Sequence, residues 1–113
     1  MSIPTRKVGN CVFLDLRSLT LGQRPDMVRD AVREVLKDNP RKIVLNMVEM
    51  EYVDSAFIGD LVASVVHVQN QGGKLVLVNL HTRLRELMQI TKIFAVFEIF
   101  KDEEAALAGC KPD

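Results

Sequence analysis

Tryptophan is absent from the 113 residues, tyrosine occurs once, and aromatic side chains make up 5% of the chain. So few stacking platforms weigh against a surface built for single-stranded nucleic acid. An excess of either charge is missing as well, because 15 Lys and Arg balance 15 Asp and Glu. No global field then draws the chain to nucleic acid or to an anionic membrane, so a partner must be recognised by shape and local chemistry. No apolar run approaches the ~18 residues of a spanning helix. The opening MSIPTRKVGN lacks the apolar core of a signal peptide. Cysteine is limited to Cys11, in an apolar run, and Cys110, in the C-terminal tail. The two make a poor disulfide pair, and no Cys/His cluster suggests zinc. These absences predict a soluble, reduced, cytoplasmic protein that neither binds nucleic acid nor inserts into a membrane.

What is present is apolar patterning. Hydrophobic residues form 48% of the chain, which excludes disorder and suffices for one core in one domain, 1–113, with its core at about 7–108. VGNCVFLDL at 8–16 reads as a strand. From Pro25 to Lys37, Met27, Val28, Ala31, Val32, Val35 and Leu36 recur at helical spacing, and Asn39-Pro40 stops the helix. KIVLNMV at 42–48 and KLVLVNL at 74–80 are short continuous apolar runs, the mark of strands buried on both faces. Between them a helix is expected at 55–71, ended by Gly72-Gly73. Strand, helix, strand makes a βαβ unit with a right-handed crossover. Thr82 opens a further helix, 93–100 contains a last strand, and Asp102 caps a short helix through Leu107. The class is α/β: a small, mostly parallel or mixed sheet with helices packed on it.

MEYVDSAFIGDL at 50–61 raises the functional question. Asp54 and Ser55 are both residues that cap helix N-termini, and capping explains one of them comfortably. On a helical wheel Ile58, Leu61, Val62, Val65 and Val68 share the face expected to pack on the sheet. Asp60, Ser64, His67 and Gln71 fall opposite and are expected to be wet. Ala56, Gly59, Ala63 and Asn70 form a stripe of small residues between the two, with Phe57 at its boundary, partly exposed. Small side chains let another backbone approach, so this flank is a candidate contact surface. The alternative is that loops of the same chain cover it.

Catalytic groupings are not evident. His67 and His81 lack metal-pair spacing, and a Ser55-His81-Asp54 triad lacks the G-x-S-x-G elbow. Gly72-Gly73-Lys74 is a helix stop and not a phosphate loop. The expectation is no enzyme, no catalytic residue, no metal and no cofactor.

The segment KIVLNMVEMEYVDSAFIG at 42–59 resembles the signature of STAS domains, the family of bacterial anti-sigma factor antagonists. LTLG at 19–22, NQGGKLVLVNL at 70–80 and LMQITKIFAVFEIFKDEEAAL at 87–107 agree with it, so the resemblance covers nearly the whole chain. Its most specific part is Val53-Asp54-Ser55 followed by Gly59. Two residues depart from the family pattern: Phe57 stands where many members carry glycine, and Asn46 where the strand commonly carries Asp.

The resemblance implies a small mixed sheet with helices mainly on one side. It also implies a partner switch. The antagonist binds an anti-sigma factor, a serine kinase that carries its own ATP, and so frees a sigma factor for transcription. Phosphorylation of Ser55 by that kinase then separates the pair. Asp54, Ser55, Ala56, Phe57, Gly59, Asp60 and Ala63 would form the docking surface, on a monomer or a dimer. The competing reading is a non-enzymatic subunit of a transporter or stress-signalling complex, bound to its partner constitutively. A nucleotide at the Asp54 end of the sheet is a weaker third reading.

Overall fold

The apolar runs become the strands of one sheet. A computed structural model describes residues 3–17, 27–50, 55–90 and 97–107. Strands β1 (Thr5–Val8), β2 (Cys11–Arg17), β3 (Lys42–Glu49), β4 (Lys74–Val78) and β5 (Glu98–Phe100) lie side by side in that order. β1 runs antiparallel to β2, and the remaining neighbours are parallel. Helices α1 (Met27–Leu36), α2 (Ser55–Asn70) and α3 (Thr82–Ile90) fall between successive parallel strands, and α4 (Glu103–Ala106) follows β5. A parallel sheet that grows in one direction through right-handed crossovers carries all its crossover helices on one face.

Alternation along the strands confirms that layering. Val12, Leu14 and Leu16 of β2, Ile43, Leu45 and Met47 of β3, and Leu75 and Leu77 of β4 enter the main core. There they meet Val28 and Val32 of α1, Leu61, Val65 and Val68 of α2, and Leu84 and Met88 of α3. The alternate residues Cys11, Phe13, Val44, Val76 and Val78 form a smaller cluster on the opposite face, against Ala106 of α4. The result is a small mixed α/β sheet with helices mainly on one side, as the resemblance implied.

Two expectations are corrected. The strand expected at 8–16 is a hairpin, because Gly9-Asn10 forms a two-residue turn with Gly9 at φ 59°. A glycine-bearing two-residue link is the usual chemistry of such a turn. The second correction concerns Cys11, which is fully buried and disulfide-bonded and not a free thiol. The chain's other cysteine, Cys110, lies outside the described residues. Strand spacing alone gave no sign of this; among the described residues α4 packs on the face that carries Cys11.

Short elements are pinned by polar contacts. Asp102 caps α4, accepting from the Ala105 amide at 2.9 Å as expected. Lys42 Nζ donates to the Ala106 carbonyl at 2.9 Å, and Arg6 pairs with Glu103. α2 stops where Gly72 takes φ 82° and the Gly73 amide bonds the Val68 carbonyl. A Cβ at Gly73 would meet Val68 Cγ1 at 3.1 Å, a tight contact that a small shift of Val68 would have to relieve. The LTLG turn at 19–22 and the 91–96 segment lie outside the described residues. Among the described residues no helix is long and apolar enough to cross a membrane.

Candidate functional site

Ser55 is the first residue of α2. β3 ends just before it, with the Met50 amide bonding the Met47 carbonyl at 2.9 Å. Residues 51–54, Asp54 among them, lie outside the described residues. Beyond Ser55 the helix presents Ala56 and Gly59 to solvent and Ala63 half-buried. Among the described residues nothing stands within 4 Å of where a Gly59 Cβ would be, so they leave this flank open to an approaching surface.

Phe57 behaves differently from the wheel's expectation of partial exposure. It is 8% exposed and belongs to the main core. Asp60 and Ser64, expected to be wet, are also buried, at 2% and 0%. The reason is that α2 packs on two surfaces, the sheet and α1, so less of its circumference reaches water than a single-faced wheel assumes. Gln71 is exposed as expected.

Asp60 can be buried because α1 supplies its partner. Arg29 Nε donates to Asp60 Oδ1 at 2.7 Å. The carboxylate also faces the Val28 and Arg29 amides in the first turn of α1, where the helix dipole favours an anion. Burial raises the Asp60 pKa, while Arg29 and these amides pull it back down; the net direction is up. Oδ2 is buried without a well-formed hydrogen bond among the described residues. Ser64 uses its hydroxyl within the helix, donating to the Asp60 carbonyl at 2.8 Å.

A polar ladder crosses the opposite face of the sheet near the same strand ends. Arg6 grips both oxygens of Asp15, at 2.8 and 2.7 Å, and reaches Glu103. These two carboxylates raise the already high Arg6 pKa, with Asp15 the larger cause. Asn46 Nδ2 donates to Asp15 Oδ1 at 3.0 Å. Its Oδ1 accepts from Asn79 Nδ2 at 2.9 Å and from the Val48 amide at 3.2 Å. His81 is half-buried, with Nε2 2.9 Å from the Val48 carbonyl. The ladder thus ties β1 through β4 together at the end of the sheet from which the chain leads to α2.

The model of the STAS domain matches residues 2–106. The chain belongs to the STAS domain family. Among related STAS proteins, BtrV of Bordetella bronchiseptica, provisionally assigned as an anti-sigma factor antagonist, is 21% identical over 111 residues, 98% of this chain and 96% of its own. Solved structures share the fold at lower identity. A chain from the stressosome, a signal integration and transduction hub, superposes with a TM-score of 0.77 at 15% identity, covering 95% of each chain. The Bacillus cell fate determinant SpoIIAA in its phosphorylated form gives 0.64 at 16%, covering 93% of this chain and 96% of that one.

The ladder explains the departure from the STAS pattern at position 46. An amide can donate to Asp15 and accept from Asn79 and Val48 at once; a carboxylate can only accept. Asn46→Asp would therefore set two carboxylates about 3 Å apart and lose one hydrogen bond. It is expected to cost about 1–3 kcal/mol at neutral pH. The loss should shrink on acidification, as one of the two carboxyls takes up a proton. Chemical denaturation at two pH values measures both effects. Sequence reasoning had Asn46 but missed Arg6, Asp15 and Asn79 as its structural company, and Arg29 as that of Asp60. The two-residue spacing of Asp15 from Phe13, and of Asn46 from Val44, was the available signal for a shared sheet face.

Proposed function

We propose that this STAS domain is an anti-sigma factor antagonist that binds a serine kinase through the start of α2 and is released when Ser55 is phosphorylated. The observation that carries the reading is the position of Ser55, which opens α2 beside the exposed small residues Ala56 and Gly59. Ala63 continues that flank, and Asp54 adjoins it in sequence. Phe57 and Asp60 act from within the fold: one anchors the first turn of α2 in the core, the other fastens α2 to α1. ATP belongs to the kinase, and the chain serves as ligand and substrate.

The physics of the switch is local. A phosphate adds about −1.5 to −2 charges, which a helix N-terminus tolerates within the molecule. A closely packed docking surface tolerates it poorly, since charge and bulk arrive where small residues admitted a partner. No refolding is required. Incubation with a candidate kinase and ATP, followed by intact mass and peptide mapping, tests the reading. One phosphate on Ser55 is expected; an unmodified protein under conditions where the kinase phosphorylates another substrate counts against it.

Gly59 separates docking from stability. Because its surroundings are open, Gly59→Ala is expected to stabilise the helix by about 1 kcal/mol. Gly59→Leu should remain folded yet bind the kinase at least tenfold more weakly, a loss of about 1.4 kcal/mol. Thermal melts and calorimetric titration of the same variants check the pair of outcomes.

The second reading, a constitutively bound STAS subunit of a transporter or stress-signalling assembly, draws support from the fold shared with the stressosome chain. It expects co-purification with the partner whatever stands at position 55.

A further inference from the structure

A groove of about 370 Å³ runs between α1 and α2, several turns from Ser55. Its walls carry Arg29 and Arg33 from α1, and Ser64, His67 and Asn70 from α2. Helical spacing makes the array, with 29 and 33 one turn apart on one helix and 67 and 70 nearly so on the other. Most of these groups offer N–H donors to the groove. The nearby carboxylate does not face the groove openly: Asp60 is 1% exposed and gives Oδ1 to Arg29, its Oδ2 is buried, and Ser64 directs its hydroxyl hydrogen at the Asp60 carbonyl. Asp30 and Glu34 of α1 are exposed and do not line it, and Glu34 pairs with Lys37 at 3.1 Å.

The side chains of Arg33, His67 and Asn70 make no hydrogen bond or ion pair with any described residue. Arg33 is exposed, and its planar guanidinium presents paired donors of the spacing that oxyanions match. Val66, 48% exposed, forms an apolar rim on one flank. The volume lies at the lower end of the ~300–1,000 Å³ range of small-ligand sites.

We infer that the α1–α2 groove binds an oxyanion, a phosphate or carboxylate group held by Arg33, His67 and Asn70. The inference does not use Ser55, so it stands or falls separately from the partner-switch reading. The chemistry admits two sources, a free small anion or an acidic peptide segment, and the experiment distinguishes them.

The ¹⁵N-labelled full chain is titrated at low ionic strength with inorganic phosphate and, separately, with a hexaglutamate peptide, while backbone and side-chain resonances are followed. Saturable shifts confined to 29–36 and 63–70 are expected. They should weaken about tenfold in Arg33→Gln, the loss of one charge-assisted contact, and fade as salt is added. Arg41→Gln, an exposed cation just before β3, should leave them unchanged. Saturation by phosphate assigns a free anion; saturation by the peptide alone assigns an acidic segment; either upholds the oxyanion site. The inference is overturned if neither probe saturates, or if Arg41→Gln weakens binding as much as Arg33→Gln.

Discussion

Replacing Ser55 with Asp is expected to lower kinase binding on the order of 100-fold, about 2.7 kcal/mol, while the protein stays fully folded. The two effects diverge because one charge acts in two settings. Within the chain, an anion on the first residue of α2 meets the positive end of the helix dipole and is worth about 0.3–1 kcal/mol in favour of folding. At a docking surface of small residues the same carboxylate must be desolvated against a partner shaped for a hydroxyl, and unmatched charges across an interface cost several kcal/mol. Ser55→Ala removes the phosphate acceptor without adding charge, so it should bind at least as well as the unmodified chain and stay bound when ATP is added. Calorimetric titration of all three proteins with the kinase, with and without ATP, gives the comparison. If Ser55→Asp binds within threefold of the parent chain, the phospho-switch reading is wrong and constitutive association gains ground.

The largest stability effect is expected at Arg29. Arg29→Met keeps much of the aliphatic stem but strips the carboxylate of Asp60 of its cation, leaving a nearly inaccessible charge without its main partner. Losses of about 3–5 kcal/mol follow when one member of a fully buried pair is removed. Because Arg29 is itself 41% exposed, about 2–4 kcal/mol is expected here. The pH dependence has a definite sign. Burial lifts the Asp60 pKa above its ordinary value of 3.8. A carboxyl with a raised folded-state pKa contributes stability that is fully present below its unfolded value and is lost as pH rises through the folded one. Removing Arg29 takes away what held that pKa down, so the destabilisation should be greatest at neutral pH and should diminish towards pH 4 as Asp60 takes up a proton. Asp60→Asn, which has no such proton to gain, should lose this pH-dependent component. Urea denaturation of the three proteins between pH 4 and pH 8 measures it; a deficit in Arg29→Met that is equal at both ends would contradict the account.

The strand-helix alternation, the stop at Gly72-Gly73, the Asp102 cap and the placement of Ser55 at the head of a helix were all legible from residue order. Each rests on neighbours a few positions apart: apolar periodicity, an αL-competent glycine, a carboxylate three residues before an amide. The hairpin at Gly9-Asn10 carried a local signal as well, but the apolar run after it overshadowed the turn.

The surroundings of Phe57, Asp60, Ser64, Cys11 and Asn46 were a different matter. Whether the second flank of α2 is wet depends on α1, whose Arg29 lies 31 positions before Asp60. Asn46 meets Asp15 across 31 residues and Asn79 across 33. Cys11 lies against α4, from the far end of the described chain. A wheel or a propensity describes one element against an unspecified interior and is silent about which other element arrives there. Local backbone preference therefore set where MEYVDSAFIGDL turns into a helix. Packing between distant segments set which of its residues face solvent: Ala56 and Gly59 stay open, while Phe57 and Asp60 are drawn into the fold because burying a ring and pairing a carboxylate lowers the free energy more than leaving them at the surface.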